Sequence, residues 1–136
     1  MHIDVVTGSV LDACIKIHTA IGPGCFEKVY EETLNYELSK RGLDVKRQTL
    51  MPICYEKLFI HDAYKMDLLV ERKLIIEIKS VERLAPVHFR QVMTYLKLSG
   101  IKNGLLLNFN VELIKYGFNR IFNNERASKE VQQQPN

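Results

Sequence analysis

One segment, Leu74-Ile75-Ile76-Glu77-Ile78-Lys79-Ser80, constrains the fold of this chain more than any other. Leu74, Ile75, Ile76 and Ile78 make a strand that is apolar on both faces, the pattern of a central strand covered on both sides. Into that strand the sequence places Glu77 and Lys79, two apart and so on one face. Charges at such depth are expensive unless they are paired or hold an ion. The strand therefore demands a layered architecture with helices against a sheet. The chain has 136 residues, 46% apolar and 26% charged, enough for one domain with a real core. Disorder, collagen-like and mucin-like architectures are excluded as global descriptions.

The rest of the chain supplies such layers. Val6, Val10, Ala13, Cys14, Ile17 and Ile21 recur at helical spacing and predict a helix over 6–21, broken by Gly22-Pro23-Gly24. Phe26, Val29, Tyr30, Thr33, Leu34 and Leu38 predict a second helix over 26–41, stopped by Gly42. Strands are expected over 43–53, 54–60, 63–70 and 74–81, with His61-Asp62 and Glu71-Arg72-Lys73 as the polar breaks of an antiparallel meander. Pro86 suits the first position of a third helix over 87–99, ended by Gly100, and strands over 104–109 and 113–118 close the domain. The expected order is ααββββαββ, an α/β (α+β) fold with a mixed central sheet flanked by helices. A single domain over 1–122 is followed by a polar tail, 123–136, expected to be disordered.

Several classes of function drop out. No run approaches the roughly 20 apolar residues of a membrane span, and the start Met1-His2-Ile3-Asp4 lacks the features of a signal peptide, so a cytoplasmic protein with no membrane partner is expected. Cys14, Cys25 and Cys54 are odd in number and hold no CxxC pair, which supports neither a disulfide framework nor a thiolate zinc site. A net charge of +3 permits nucleic-acid contact without demanding it.

Asp67 lies on the strand before Glu77, and its placement depends on the turn. A two-residue turn at Arg72-Lys73 sets Asp67 opposite Ile78, away from Glu77. A three-residue loop, Glu71-Arg72-Lys73, pairs Val70 with Leu74 and sets Asp67 across from Glu77. The second register would put Asp67, Glu77 and Lys79 on one face, and Leu68, Val70, Ile76 and Ile78 on the other. Two carboxylates and an ammonium in a half-buried cleft suit phosphodiester hydrolysis: the acids hold a hard divalent cation such as Mg²⁺, and the lysine orients or stabilises the attacking hydroxide. A structural ion-pair cluster would use the same residues.

Other residues bear on that choice. Gln91 and Tyr95 follow His88 along one stripe of the third helix, where Gln91 either holds a water or phosphate oxygen or is a solvated amide. Glu27, in the first turn of the second helix, is either favoured there by the helix dipole or is a further metal-site carboxylate. His18 either caps the first helix or points into the cleft, and capping is the favoured reading.

Gly24-Cys25-Phe26-Glu27-Lys28-Val29-Tyr30 resembles the G-x-x-E-x-x-Y signature of the GxxExxY protein family. Asp67, Glu77-Ile78-Lys79 and Gln91-x-x-x-Tyr95-Leu96 look like the nuclease core of the PD-(D/E)XK superfamily, to which that family is assigned. The resemblance covers roughly residues 5–122. It implies a restriction-endonuclease-like core and a Mg²⁺-dependent nuclease site, with Mn²⁺ as a substitute ion. Asp67 and Glu77 match the metal-binding acids, Lys79 the motif lysine, Gln91 the helix glutamine and Glu27 the signature glutamate that assists the metal. His18, Tyr30 and Tyr95 match family positions as accessory residues, the two tyrosines chiefly as packing. Met66 stands where the nominal proline would be, a departure that leaves the carboxylate chemistry untouched.

The function expected from these readings is hydrolysis of nucleic-acid phosphodiester bonds, DNA ahead of RNA. Lys65, Arg72, Lys73, Arg83, Arg90 and Lys97 are the candidate phosphate contacts, although each would serve equally as solubilising surface. The alternative is a catalytically silent module that binds nucleic acid or a protein on a nuclease-like scaffold. A homodimer or a partner protein would be a means of choosing the target.

Overall fold

The computed structural model describes residues 1–124. Helices α1 (Ile3–Ile21) and α2 (Glu27–Lys40) precede strands β1 (Val45–Tyr55), β2 (Leu58–Val70) and β3 (Leu74–Lys79). Helix α3 (Pro86–Ser99), strand β4 (Asn103–Asn108), a 3₁₀ turn (Ile114–Gly117) and strand β5 (Phe118–Phe122) follow. The five strands lie in chain order across one sheet. β1, β2 and β3 run antiparallel, α3 crosses over to make β4 parallel to β3, and β5 returns antiparallel. This is a mixed sheet with helices on both faces, the α+β class expected, and β3 is its central strand.

The sheet has two apolar layers. Val10, Ile17, Tyr30, Leu34 and Leu38 of α1 and α2 pack on Leu68, Val70, Ile76, Ile78, Leu105 and Leu107. Val92, Tyr95 and Leu96 of α3 pack on Ile75, Leu106, Met51 and Met66. β3 is buried from Leu74 to Ile78 because it feeds both layers. Gly104 lets α3 lie close to β4, since a Cβ there would stand 2.8 Å from Val92 Cγ1. Gly24, with φ at +98°, turns the chain between α1 and α2.

Three expectations are corrected. The four strands expected before α3 are three, because the hairpin turns at Glu56-Lys57, where Tyr55 pairs with Leu58, and β2 runs straight through His61-Asp62. This outer part of the hairpin is exposed, so polar residues interrupt nothing there. The expected strand over 113–118 is a 3₁₀ turn, with β5 displaced to Phe118–Phe122. A Cβ on Gly117 would stand 1.9 Å from the Asn108 carbonyl oxygen, so the backbone packs directly on β4 there in place of laddering. Asn123, read with the tail, is buried and its N–H donates to Lys102 O at 2.8 Å. The tail beyond it, 125–136, lies outside the described residues.

Candidate active site

The turn between β2 and β3 sets the geometry. Glu71 and Arg72 both take left-handed φ, Lys73 N–H donates to Val70 O at 3.0 Å, and Val70 pairs with Leu74. The register is therefore that of the three-residue loop. The ladder stops at Leu68↔Ile76, and beyond it the strands part around Asp67. Asp67 Oδ2 fills the gap, accepting the Ile78 N–H at 2.8 Å. Burial raises the Asp67 pKa above the usual carboxylate range, the Ile78 N–H opposes this, and the Glu31 charge adds to the rise.

Glu77 is only 4% exposed. Its Oε2 lies 3.5 Å from Lys79 Nζ, while its Oε1 is buried with no hydrogen-bond partner. Burial first, and then the Asp67 charge, push its carboxyl up to about 8 against the pull of Lys79. Two carboxylates with raised pKa values, one holding a free buried oxygen, form a donor set that a divalent cation would relieve. Among the described residues no group of three or more His, Cys, Asp or Glu is arranged to hold a metal ion. A cation of the Mg²⁺ type asks for fewer, since it takes one or two carboxylates and fills its octahedron with water and phosphate oxygens. The residues present fit that requirement.

The end of β3 is braced from both sides. Phe109 N–H donates to Lys79 O at 3.0 Å, and buried Asn108 accepts from Val81 N–H and donates to Val81 O. Glu27 Oε2 accepts the Ser80 N–H at 3.1 Å, and Ser80 Oγ donates to Cys25 O at 2.7 Å. Glu27 thus reaches the residue after Lys79. It also lines a cleft of about 390 Å³ with Lys28, Glu31, Arg47, Gln48 and Asp67.

The α3 residues pack on the other face of the sheet from α1 and α2. Gln91 is half-buried and donates to the Tyr95 hydroxyl at 2.8 Å. Tyr95 is buried edge-on to Tyr64, with ring centroids 5.4 Å apart, and burial together with the Glu77 charge lifts its pKa to about 12. The Tyr95 hydroxyl donates in turn to Lys65 O at 3.4 Å, so Gln91 is tied to the β2 backbone and hydrogen-bonds neither acid. His88 leaves the stripe, its Nδ1 accepting the Ala85 N–H at 2.9 Å at the start of α3.

Other candidates lie elsewhere. The His18 ring neither caps α1 nor enters the cleft; its Nε2 sits 2.8 Å from Val111 O. Tyr30 is fully buried, stacked on Phe109 at 4.3 Å, with its hydroxyl donating to Gly22 O and accepting from Cys25 N–H. It braces the turn before Glu27 without touching the acids. Arg72 and Lys73 occupy the turn at the start of β3, whereas Lys79 closes its other end, and Lys73 Nζ donates to Met1 O. Lys65, Arg83, Arg90 and Lys97 are exposed on β2, the β3–α3 connection and α3.

Two residues of the site were not among the sequence candidates. Buried Glu31 accepts from Arg47 Nη2 at 3.0 Å and from Gln48 Nε2 at 2.5 Å. Its spacing from Glu27, one helical turn, was the available signal. Gln48 also reaches Asp67 Oδ1 at 3.4 Å, and no sequence pattern announces it.

Residues 4–121 match the family described as the PD-(D/E)XK nuclease superfamily. No curated protein and no solved structure matches the chain significantly. Among the described residues no helix is long and apolar enough to cross a membrane.

Proposed function

Because this chain belongs to the PD-(D/E)XK nuclease superfamily, we propose that it is a Mg²⁺-dependent nuclease, of the GxxExxY type, whose site is Asp67, Glu77 and Lys79. The observation that carries this reading is the buried, unpartnered Glu77 Oε1 beside Asp67. Asp67 and Glu77 would hold the ion, and Glu27 would support it from the end of β3. A bound Mg²⁺ supplies Lewis-acid stabilisation for charge that develops on the phosphoryl oxygens. Lys79, tethered by Glu77 and by the Phe109 N–H on its carbonyl, donates from its ammonium to the attacking water and the phosphate. Gln91 and Tyr95 brace β2 next to Asp67 through the Lys65 carbonyl. Water gives a proton to solvent as its oxygen attacks phosphorus, one P–O bond forms as the bond to the leaving sugar oxygen breaks, that oxygen takes up a proton from solvent, and no covalent enzyme intermediate is needed. Lys65, Arg83, Arg90 and Lys97 are the phosphate contacts on this reading, with DNA the substrate ahead of RNA.

The test is cleavage of labelled single- and double-stranded DNA and RNA with Mg²⁺, Mn²⁺ or EDTA, comparing wild type with Asp67→Ala and Lys79→Ala. Metal-dependent cutting lost in both variants is the expected result. Equal cutting by the variants, or none by wild type, would leave a nucleic-acid- or protein-binding module in its place.

A further inference from the structure

Gln48 has a backbone that few residues of its type adopt. Its φ is +48°, left-handed, a conformation rare outside Gly, Asn and Asp. It stands in β1 between the pairs Arg47↔Leu68 and Thr49↔Met66, and so opposite Asp67. At this position the hairpin changes faces. Leu68 and Val70 join the layer under α1 and α2. Met66 and Tyr64, which share their parity along the strand, join the layer under α3. A uniform pleat keeps residues two apart on one face, so a local turn of the ribbon is required here.

Glycine meets a left-handed requirement with the least strain. The chain carries a glutamine instead, and its side chain is used. One amide nitrogen, Nε2, donates to Glu31 Oε1 at 2.5 Å and to Asp67 Oδ1 at 3.4 Å. The Arg47 guanidinium occupies the other Glu31 oxygen. Without this bridge, two carboxylates would face each other across the cleft with no donor between them.

We infer that Gln48 is a positioning residue for Asp67, its amide tying the Oδ1 side of that carboxylate to Glu31 of α2 so that Oδ2 stays on the Ile78 N–H. Its left-handed backbone turns the ribbon and aims the amide in one step. The inference rests on the nuclease reading for its purpose, but its geometry stands apart from that reading.

The experiment compares wild type, Gln48→Gly and Gln48→Asn. It follows thermal melting and Ile78 amide exchange by ¹⁵N NMR without metal, and then a Mn²⁺ titration by calorimetry. Gln48→Gly relieves the backbone and removes the amide. Gln48→Asn suits the backbone but is one methylene too short to span both acids. Relief of the backbone and loss of the amide act in opposite directions on stability, so both variants are expected to melt within a few degrees of wild type. Ile78 exchange should rise about tenfold and Mn²⁺ affinity should fall about tenfold, the scale of losing an outer hydrogen bond to a metal ligand. Wild-type Ile78 protection in both variants would overturn the inference while leaving the nuclease reading intact. A wild type that binds no Mn²⁺, with Ile78 still exposed by both variants, would sink the nuclease reading and uphold Gln48.

Discussion

Asp67 Oδ2 accepts the main-chain N–H of Ile78 at 2.8 Å, so a side-chain carboxylate stands where the antiparallel ladder of β2 and β3 gives out. The same bond anchors the acid where β3 carries Glu77 and Lys79 past the end of its paired stretch with β2. An amide oxygen can accept that N–H as well. Asp67→Asn is therefore expected to melt within a few degrees of wild type and to cut nucleic acid about 10²–10³-fold more slowly, the scale of losing one transition-state contact. A variant that unfolds would show that the charge itself holds the strands.

Glu77 predicts a pH dependence of stability. Its folded pKa, about 8, lies above its ordinary value of 4.5. Between those values the folded state binds a proton that the unfolded state has released, so stability is full below about pH 4.5 and is lost as pH rises through about 8. The melting temperature of metal-free protein is expected to fall from pH 5 to pH 8.5, corresponding to on the order of a few kcal/mol. Glu77→Gln should flatten that slope, and saturating Mg²⁺ should restore the melting temperature at the alkaline end. A flat wild-type profile would contradict the buried acid pair.

The positions of the cations make a directional prediction. Arg72 and Lys73 sit at the wrong end of β3 for a substrate that meets Glu77 and Lys79. Arg72→Ala with Lys73→Ala should leave DNA affinity near wild type. Arg83→Ala with Arg90→Ala should weaken it and lower the slope of log K against log salt by about 1–2. Fluorescence anisotropy across a salt series checks both.

Tyr30→Phe keeps the ring on Phe109 and deletes a hydroxyl that serves both Gly22 O and Cys25 N–H. Leaving these groups without a partner should cost about 1–3 kcal/mol in urea unfolding. Cleavage per folded molecule should change little, because Tyr30 touches none of the acids.

Gly104→Ala tests the α3 layer. A Cβ at 2.8 Å from Val92 Cγ1 has to push α3 off β4, at about 1–3 kcal/mol. Since α3 carries Gln91 and Tyr95, a loss of activity beyond the loss of stability is expected, read as kcat at a temperature where the variant is folded.

Most of the architecture was legible in the sequence. Helical periodicity places α1, α2 and α3, and the doubly apolar run at Leu74 places β3 in the middle of the sheet with its acid and lysine. The errors fall where the periodic signal has no buried face to record. His61-Asp62 reads as a break because an exposed hairpin imposes no alternation, and 113–118 reads as a strand because its apolar spacing does not reveal how Gly117 packs on Asn108.

What the sequence determined by itself is a chemical inventory with a period: two acids and a lysine on neighbouring strands, and helices to cover them. That follows from local geometry, since residues two apart share a strand face and residues three or four apart share a helix face. The tertiary structure decided which groups meet. It chose the three-residue loop through the left-handed Glu71 and Arg72, brought Glu31 across from α2, and turned Gln48 over Asp67. It also sent His18 to Val111 and left Arg72 and Lys73 at the far end of the strand. These outcomes depend on where two strands part and how a ribbon twists, which are balances among contacts distant in sequence and carry no local pattern.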